Sequence, residues 1–266
     1  MLAFLKREGV NTAGVVRIAE KRTSAVVLGI EPPDRFPLVF YREGCADIAM
    51  GIDEVDRAAL EDTTMFLVTG TGLSQEPSRS ATMWALETAR AAGATTVLDV
   101  DLRVDQWHDP RAFGVVLRSV LPLIDVVIGT EEELKALGGA DNIEIPAGQV
   151  SSPVVHGDLD GSVRHVLSAG PTALVLKRGI AGATIYQPDA DPVDAAPFVV
   201  DVMNVLGAGD GFASGLLYGR LQGWDWQRSA RFGNAVGAIV VTKPGCADFM
   251  PTTEEVMAFA SSQGGL

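Results

Sequence analysis

Only two cysteines, Cys45 and Cys246, occur in 266 residues. Two thiols so far apart read as reduced side chains rather than a bridge. The three histidines, His108, His156 and His165, are scattered, and no metal-ligand spacing is present. Positive charge is the scarce sign. Against 34 acids stand 21 Lys and Arg, a net charge of −13 with no basic cluster. That balance argues against nucleic acid and anionic membranes as main partners, although a local pocket can oppose the global sign. No apolar run approaches the roughly 20 residues that span a bilayer. The opening MLAFLKREGV has no apolar leader core, so the expectation is a cytoplasmic chain. A Walker loop, G-x-x-x-x-G-K-[ST], is also missing. So are internal repeats and low-complexity segments.

Hydrophobic residues make up 47% of the chain, enough for a folded core, and the length suits one large α/β domain or two small ones. Residues 1–10 read as the end of a helix stopped at Gly9. The stretch 14–30 suggests two strands around a polar turn at Glu20–Ser24, and Leu38–Arg42 follows "EPPDRFP" as another. From residue 63 the rhythm alternates. Strands are expected at 63–70, 94–101, 124–129, 172–179 and 182–187. Helices are expected at 76–92, 110–120, 130–138, 161–169, 208–222, 226–242 and 252–261. The stretch 140–160 reads as irregular. Such alternation implies a parallel sheet flanked by helices, with ligands beyond the carboxyl ends of its strands.

The most informative stretch is NVLGAGDGFASG, residues 204–215. Gly207, Ala208 and Gly209 sit where a helix begins. Small residues let backbone N–H groups approach a ligand, and a helix start leaves those groups unpaired at a partly positive dipole end. An anion, commonly phosphate, fits there. Asp210 in the first turn could take a proton from a substrate hydroxyl. The alternative is a capping Asp after a glycine turn. Asp99, Asp101 and Arg103 close one strand; period two places both acids on one face, and Arg103 could contact an anion. The alternative is an ordinary strand-end turn. Thr130-Glu-Glu-Glu133 opens a helix, as caps do, or supplies a carboxylate that holds Mg²⁺ through water. Lys177-Arg178-Gly179 could meet a nucleotide phosphate or form a surface turn. Phe40-Tyr41-Arg42 reads as a sheet edge or as part of a site. Gly70-Thr-Gly72 follows a strand as a dinucleotide fingerprint would, but its third glycine position is Gln75.

NVLGAGDGFASG, RFGNAVGAIVVTKPGC, VLDVDLR, GTEEE and KRGIAGATIY stand in the order found in the ribokinase/PfkB family of carbohydrate kinases, which the chain resembles over about residues 1–255. The resemblance implies a ribokinase-like three-layer α/β sandwich, a central mainly parallel sheet flanked by helices, as a single domain over 1–266 with 14–42 as a partial β lid. It implies transfer of the ATP γ-phosphoryl to a hydroxyl of a sugar acid. Asp210 would match the catalytic base, and Gly207, Ala208 and Gly209 the anion hole. Glu133 would match the acid of the family's Asn-x-x-Glu magnesium motif, with Thr130 in the Asn place. Arg42, Phe40, Asp101 and Arg103 would bind the substrate. Lys177, Gly179, Gly182, Asn234 and Gly237 would line the nucleotide side. ATP and Mg²⁺ would be required, and a monovalent cation near Asn204 and Gly245 is a further candidate. The partners would be small molecules, with a homodimer through the lid. The family opens with a strand and a Gly-Gly-x-x-x-Asn stretch that this chain lacks, which implies a start site further upstream. Other readings are a nucleotide-holding protein without turnover and a NAD-linked enzyme.

Overall fold

Alternate residues along the central strands belong to two different cores. Leu98, Val127, Leu174 and Leu176 pack into one. Val97, Val126, Ile128, Ala173 and Val175 pack into the other. A strand buried on both faces must lie in a middle layer, and that layer organises the molecule. The computed structural model describes residues 1–31, 36–56, 60–140, 142–146 and 153–266.

In chain order the elements are α1 (Leu2–Arg7), β1 (Ala25–Leu28), β2 (Leu38–Tyr41), α2 (Ile52–Asp56), β3 (Met65–Thr69), α3 (Ser78–Ala91), β4 (Thr95–Asp99), α4 (Pro110–Val120), β5 (Val126–Thr130), α5 (Glu131–Leu137), β6 (Asn142–Glu144), β7 (Val154–His156), α6 (Leu159–Ser168), β8 (Ala173–Lys177), β9 (Ala183–Tyr186), β10 (Val193–Ala195), α7 (Ala208–Leu221), α8 (Trp226–Val241) and α9 (Thr253–Ser262). Six strands form the central sheet in the order β10-β9-β8-β5-β4-β3. β3, β4, β5 and β8 are parallel; β9 and β10 run antiparallel to their neighbours.

Phe113 and Leu117 of α4, Leu134 and Leu137 of α5, and Val163 and Val166 of α6 cover one face. Phe212, Ala213 and Leu216 of α7, with Ala230 of α8, cover the other. The result is a three-layer α/β sandwich. Away from it, β1 and β2 form a separate two-stranded antiparallel ribbon.

Most of the expected helices and core strands are present within a few residues of their expected bounds. Three expectations are corrected. Residues 14–18 form no strand; the Val15 amide closes a turn onto Thr12 and the Lys21 amide one onto Ile18, so the backbone groups are spent locally. Within 140–160, β6 and β7 pair in a short antiparallel ribbon. β10 was not expected, because three residues without alternation carry no periodic signal. The turn "EPPDRFP" lies in part outside the described residues.

What places α7 is its approach to α8. A Cβ built at Gly215 would fall 2.8 Å from Val236 Cγ2 and 2.9 Å from the Gly233 Cα. Only residues without side chains allow this separation. Gly215→Val is expected to push the helices apart and cost about 1–3 kcal/mol, by analogy with overpacked cores. Chemical denaturation of the two proteins checks it; an unchanged midpoint would mean that the contact is not tight.

Candidate active site

The parallel strands end at Asp99, Thr130 and Lys177, along one edge of the sheet. A cavity of about 920 Å³ opens there. The sheet edge supplies Asp99, Asp101, Arg103, Thr130, Glu133 and Lys177 to its lining; the ribbon supplies Phe36, Pro37 and Leu38; the start of α7 supplies Gly207, Ala208, Gly209 and Asp210; α8 supplies Asn234 and Gly237. Sequence reasoning therefore brings together residues from distant stretches that do share one space.

Gly207 precedes α7 with φ +85°, and a Cβ there would lie 2.5 Å from that of Cys246. Both facts demand glycine. The Ala208 amide closes a turn onto the Val205 carbonyl at 3.3 Å, and the Gly211 amide begins the helical ladder onto Gly207. Among the described residues, the Gly209 and Asp210 amides have no hydrogen-bond acceptor. Of the expected trio of anion-holding amides only that of Ala208 is engaged; those of Gly207 and Gly209 have no acceptor among the described residues, and the Asp210 amide joins them. The Asp210 side chain is exposed and lines the cavity, with no protein partner among the described residues. It does not cap its own helix.

Buried Asn204 sets the approach to this turn. Its Oδ1 accepts from the Leu206 amide at 2.6 Å, which fixes the side chain's orientation. Its Nδ2 then donates to the carbonyls of Lys243 at 2.9 Å and Gly245 at 3.3 Å. Those carbonyls, near which a monovalent cation was a candidate, already face an N–H donor.

Lys177 is largely enclosed between two acids. Its Nζ lies 3.0 Å from Asp99 Oδ1 and 3.7 Å from Glu133 Oε2. Burial, reinforced by the Glu133 carboxylate, pushes the Asp99 carboxyl up to about 6 against the pull of Lys177. Burial alone would lower the Lys177 ammonium, but Glu133 first and Asp99 next outweigh it, so the group stays protonated far above neutrality. Glu133 is held below the usual carboxylate range: burial would raise it, but Lys177 and the Thr130 amide prevail. The sequence left Lys177 open between a nucleotide phosphate and a surface turn; it lines the cavity as an ion-paired cation.

Glu133 also closes a capping box, accepting from the Thr130 amide at 2.6 Å and from the Leu102 amide at 3.3 Å. With both oxygens accepting from backbone, direct ligation of a metal ion does not fit. A hydrated Mg²⁺ carried on nucleotide phosphates does fit a wall shared by Glu132 and Glu133.

Asp101 lies beyond the end of β4 at φ +40°, so it does not continue the strand face of Asp99. Its turn still carries it into the cavity, where it pairs with Arg103 at 2.8 Å. Burial raises its carboxyl, with Arg103 opposing. The Arg103 guanidinium sits 5.6 Å from the centre of the Phe40 ring. Phe40 thus touches the site through Arg103. Arg42 does not line the cavity. It is committed to Asp47 at 2.5 Å, the Thr71 carbonyl at 3.0 Å and the Gln106 side chain. That network ties the ribbon to the sandwich, and it removes Arg42 from free contact with a ligand.

Asn234 donates to the Ala195 and Ala196 carbonyls beside Gly182, whose φ is +84°. Gly179 and Gly237 line the same end. Val199, Val205 and Val241 complete that wall; Val199 comes from an irregular stretch where no pattern marked it. Gly70 serves packing, because a Cβ there would lie 2.1 Å from the Val100 carbonyl oxygen.

The family described as pfkB family carbohydrate kinase matches residues 1–253. A 5-dehydro-2-deoxygluconokinase of Shouchella clausii is 30% identical over 262 residues, 98% of this chain and 76% of that protein. A fructokinase of Vibrio cholerae holding fructose, ADP and a calcium ion superposes with a TM-score of 0.80 at 24% identity, covering 97% of this chain and 80% of that one. A fructokinase of Xylella fastidiosa with bound ATP gives 0.81 at 24%, covering 98% and 80%.

The Asn204 clamp makes a stability prediction. Asn204→Ala removes the buried side chain that holds the Lys243 and Gly245 carbonyls and the Leu206 amide, and is expected to cost about 1–3 kcal/mol. Denaturation with urea checks it; a neutral substitution would show that the clamp is dispensable.

Proposed function

The chain belongs to the pfkB family of carbohydrate kinases, and we propose that it carries the γ-phosphoryl group of ATP to a hydroxyl of a sugar acid, 5-dehydro-2-deoxygluconate first among the candidates. The observation that carries this reading is the pairing of unpartnered Gly209 and Asp210 amides with an exposed, unpartnered Asp210 carboxylate on one cavity wall. The sugar-acid assignment rests on the Shouchella clausii relative and on Arg103.

In this reading Asp210 accepts the proton of the attacking hydroxyl. The hydroxyl oxygen bonds to the γ-phosphorus as the bond from phosphorus to the bridging oxygen breaks, and the electron pair leaves on ADP. The α7 amides and dipole meet the charge that develops on the transferring group. Arg103, braced by Asp101 and Phe40, offers a planar fork to the substrate carboxylate. Gly179, Gly182, Asn234, Gly237 and the neighbouring valines receive the nucleotide. Mg²⁺, when bound, neutralises phosphate charge. Hydroxyl phosphorylation needs no other cofactor.

The β1–β2 ribbon serves as the lid in this reading. Its outward face carries Val27, Val39 and Tyr41, 56, 51 and 60% exposed. A two-stranded ribbon is marginal alone, and an apolar face of this kind favours a partner. A second copy, ribbon against ribbon, would cover it. Light scattering should then give a dimer that Val27→Asp converts to a monomer; an unchanged mass would remove the dimer from the account.

Coupled detection of ADP tests the reaction. ADP should form with 5-dehydro-2-deoxygluconate faster than with 2-keto-3-deoxygluconate, fructose or ribose. Asp210→Asn should keep nucleotide binding and lose about 10²–10⁴-fold in kcat, the usual loss on removing a general base. A near-native rate in that variant would leave Asp210 without the role assigned to it.

A further inference from the structure

Lys177 and Asp99 come from strands that are not neighbours, for β5 runs between β4 and β8. Both have the strand parity of residues that face α7: Asp99 follows Val97, and Lys177 follows Ala173 and Val175. They therefore converge under the amino end of that helix. The Lys177 side chain is 14% exposed and that of Asp99 7%. A lysine so enclosed cannot swing out as a surface lysine does. Its ammonium lies 3.5 Å from where a Cβ on Gly209 would be, beside an amide without an acceptor. The helix end supplies about half a positive charge; Lys177 adds a whole one at the same place. An ammonium has three donors. Asp99 takes one at 3.0 Å, and Glu133 at 3.7 Å is beyond hydrogen-bond reach, so donors remain for a ligand.

We propose that Lys177 is the catalytic cation on the transferring phosphoryl group and that Asp99 is the positioning residue that holds it there. The proposal rests on the phosphoryl-transfer reading and deepens it. Lys177 neither gives nor takes a proton: the hydroxyl proton goes to Asp210, the new oxygen–phosphorus bond forms, and the bridging bond opens toward ADP. The ammonium faces the non-bridging oxygens of the group in transit. Asp99 acts only through Lys177. Its carboxylate keeps the ammonium against Gly209 instead of letting it turn toward Glu133.

Two measurements test this, each on the full chain with Mg²⁺ present. Calorimetry compares ADP with β,γ-imido ATP, which differ by the terminal phosphoryl group. Lys177→Met should weaken the imido analogue by about 10- to 100-fold, the usual effect of losing a charged hydrogen bond, and leave ADP nearly unchanged. Asp99→Asn should show the same pattern, smaller. Steady-state kinetics should give a fall in kcat of about 10²–10³-fold for Lys177→Met, as when a donor to developing charge is removed, with little change in KM for the sugar acid. The double variant should be no slower than Lys177→Met, because two residues that act as one unit are not additive. Equal weakening of ADP and the analogue, a wild-type kcat in Asp99→Asn, or losses that multiply in the double variant would overturn the proposal. Binding needs no turnover. A wild-type chain that discriminates the analogue through Lys177 yet releases no ADP with any sugar would sink the kinase reading and keep the phosphoryl site. Asp99→Asn preserves shape and serves as the readout if Lys177→Met does not fold.

Discussion

The amino end of α7 is the feature to which the rest of the structure is subordinate. A helix can offer unpaired N–H groups to a ligand only if something else fixes where it starts. Here three constraints do so. Gly215 against Gly233 and Val236 sets how closely α7 packs on α8. Gly207, in a conformation open to glycine and with no room for a side chain beside Cys246, ends the incoming loop. Asn204 fastens that loop to Lys243 and Gly245 from below. The Gly209 and Asp210 amides are left to the cavity because no preceding helical turn supplies them with acceptors.

Electrostatics follows from the same place. The chain is strongly acidic, yet its cavity is suited to an anion. Three of the acids that line it are tied down: Asp99 and Glu133 share Lys177, and Asp101 holds Arg103. Burial makes those charges costly to leave unpaired, and its weight shows in the Asp99 carboxyl, which desolvation raises against the pull of Lys177. Asp210 stands without a cation among the described residues, and its assigned task needs an available lone pair. Near the start of α7 the helix dipole and the cations Lys177 and Arg103 offset part of the acid charge within a few ångströms, while the surface acids are screened.

Much of this was legible in the sequence. Alternating apolar strands and helices from residue 63 onward pointed to a parallel sheet flanked by helices, because long segments of strong periodicity are the most readable ones. The GAGD turn could be read because glycine spacing before a helix has few physical uses. Other features were not legible. Residues 14–18 have strand-like composition, but pairing is settled by partners, not by propensity. The left-handed Asp101 looks like one more strand residue until the chain is seen to turn there. Glu133 fits two roles in sequence, and only its distances to the Thr130 and Leu102 amides separate the cap from the ligand. The pairing of Lys177 with Asp99 joins residues 78 positions apart in the chain, across a strand that lies between them, and no local pattern announces it. Arg42 was misjudged for a related reason: an arginine near a site is as useful for bracing a ribbon as for holding a substrate.

The most direct measurement is a crystal structure with ADP, aluminium fluoride and the sugar acid. Aluminium fluoride occupies the place of the phosphoryl group in transit. The account requires its fluorides at about 2.7–3.1 Å from the Gly209 and Asp210 amide nitrogens, as for donors to an oxyanion, with the Asp210 carboxylate on the acceptor hydroxyl. Density for the fluoride away from α7, or Asp210 turned from the sugar, would contradict it.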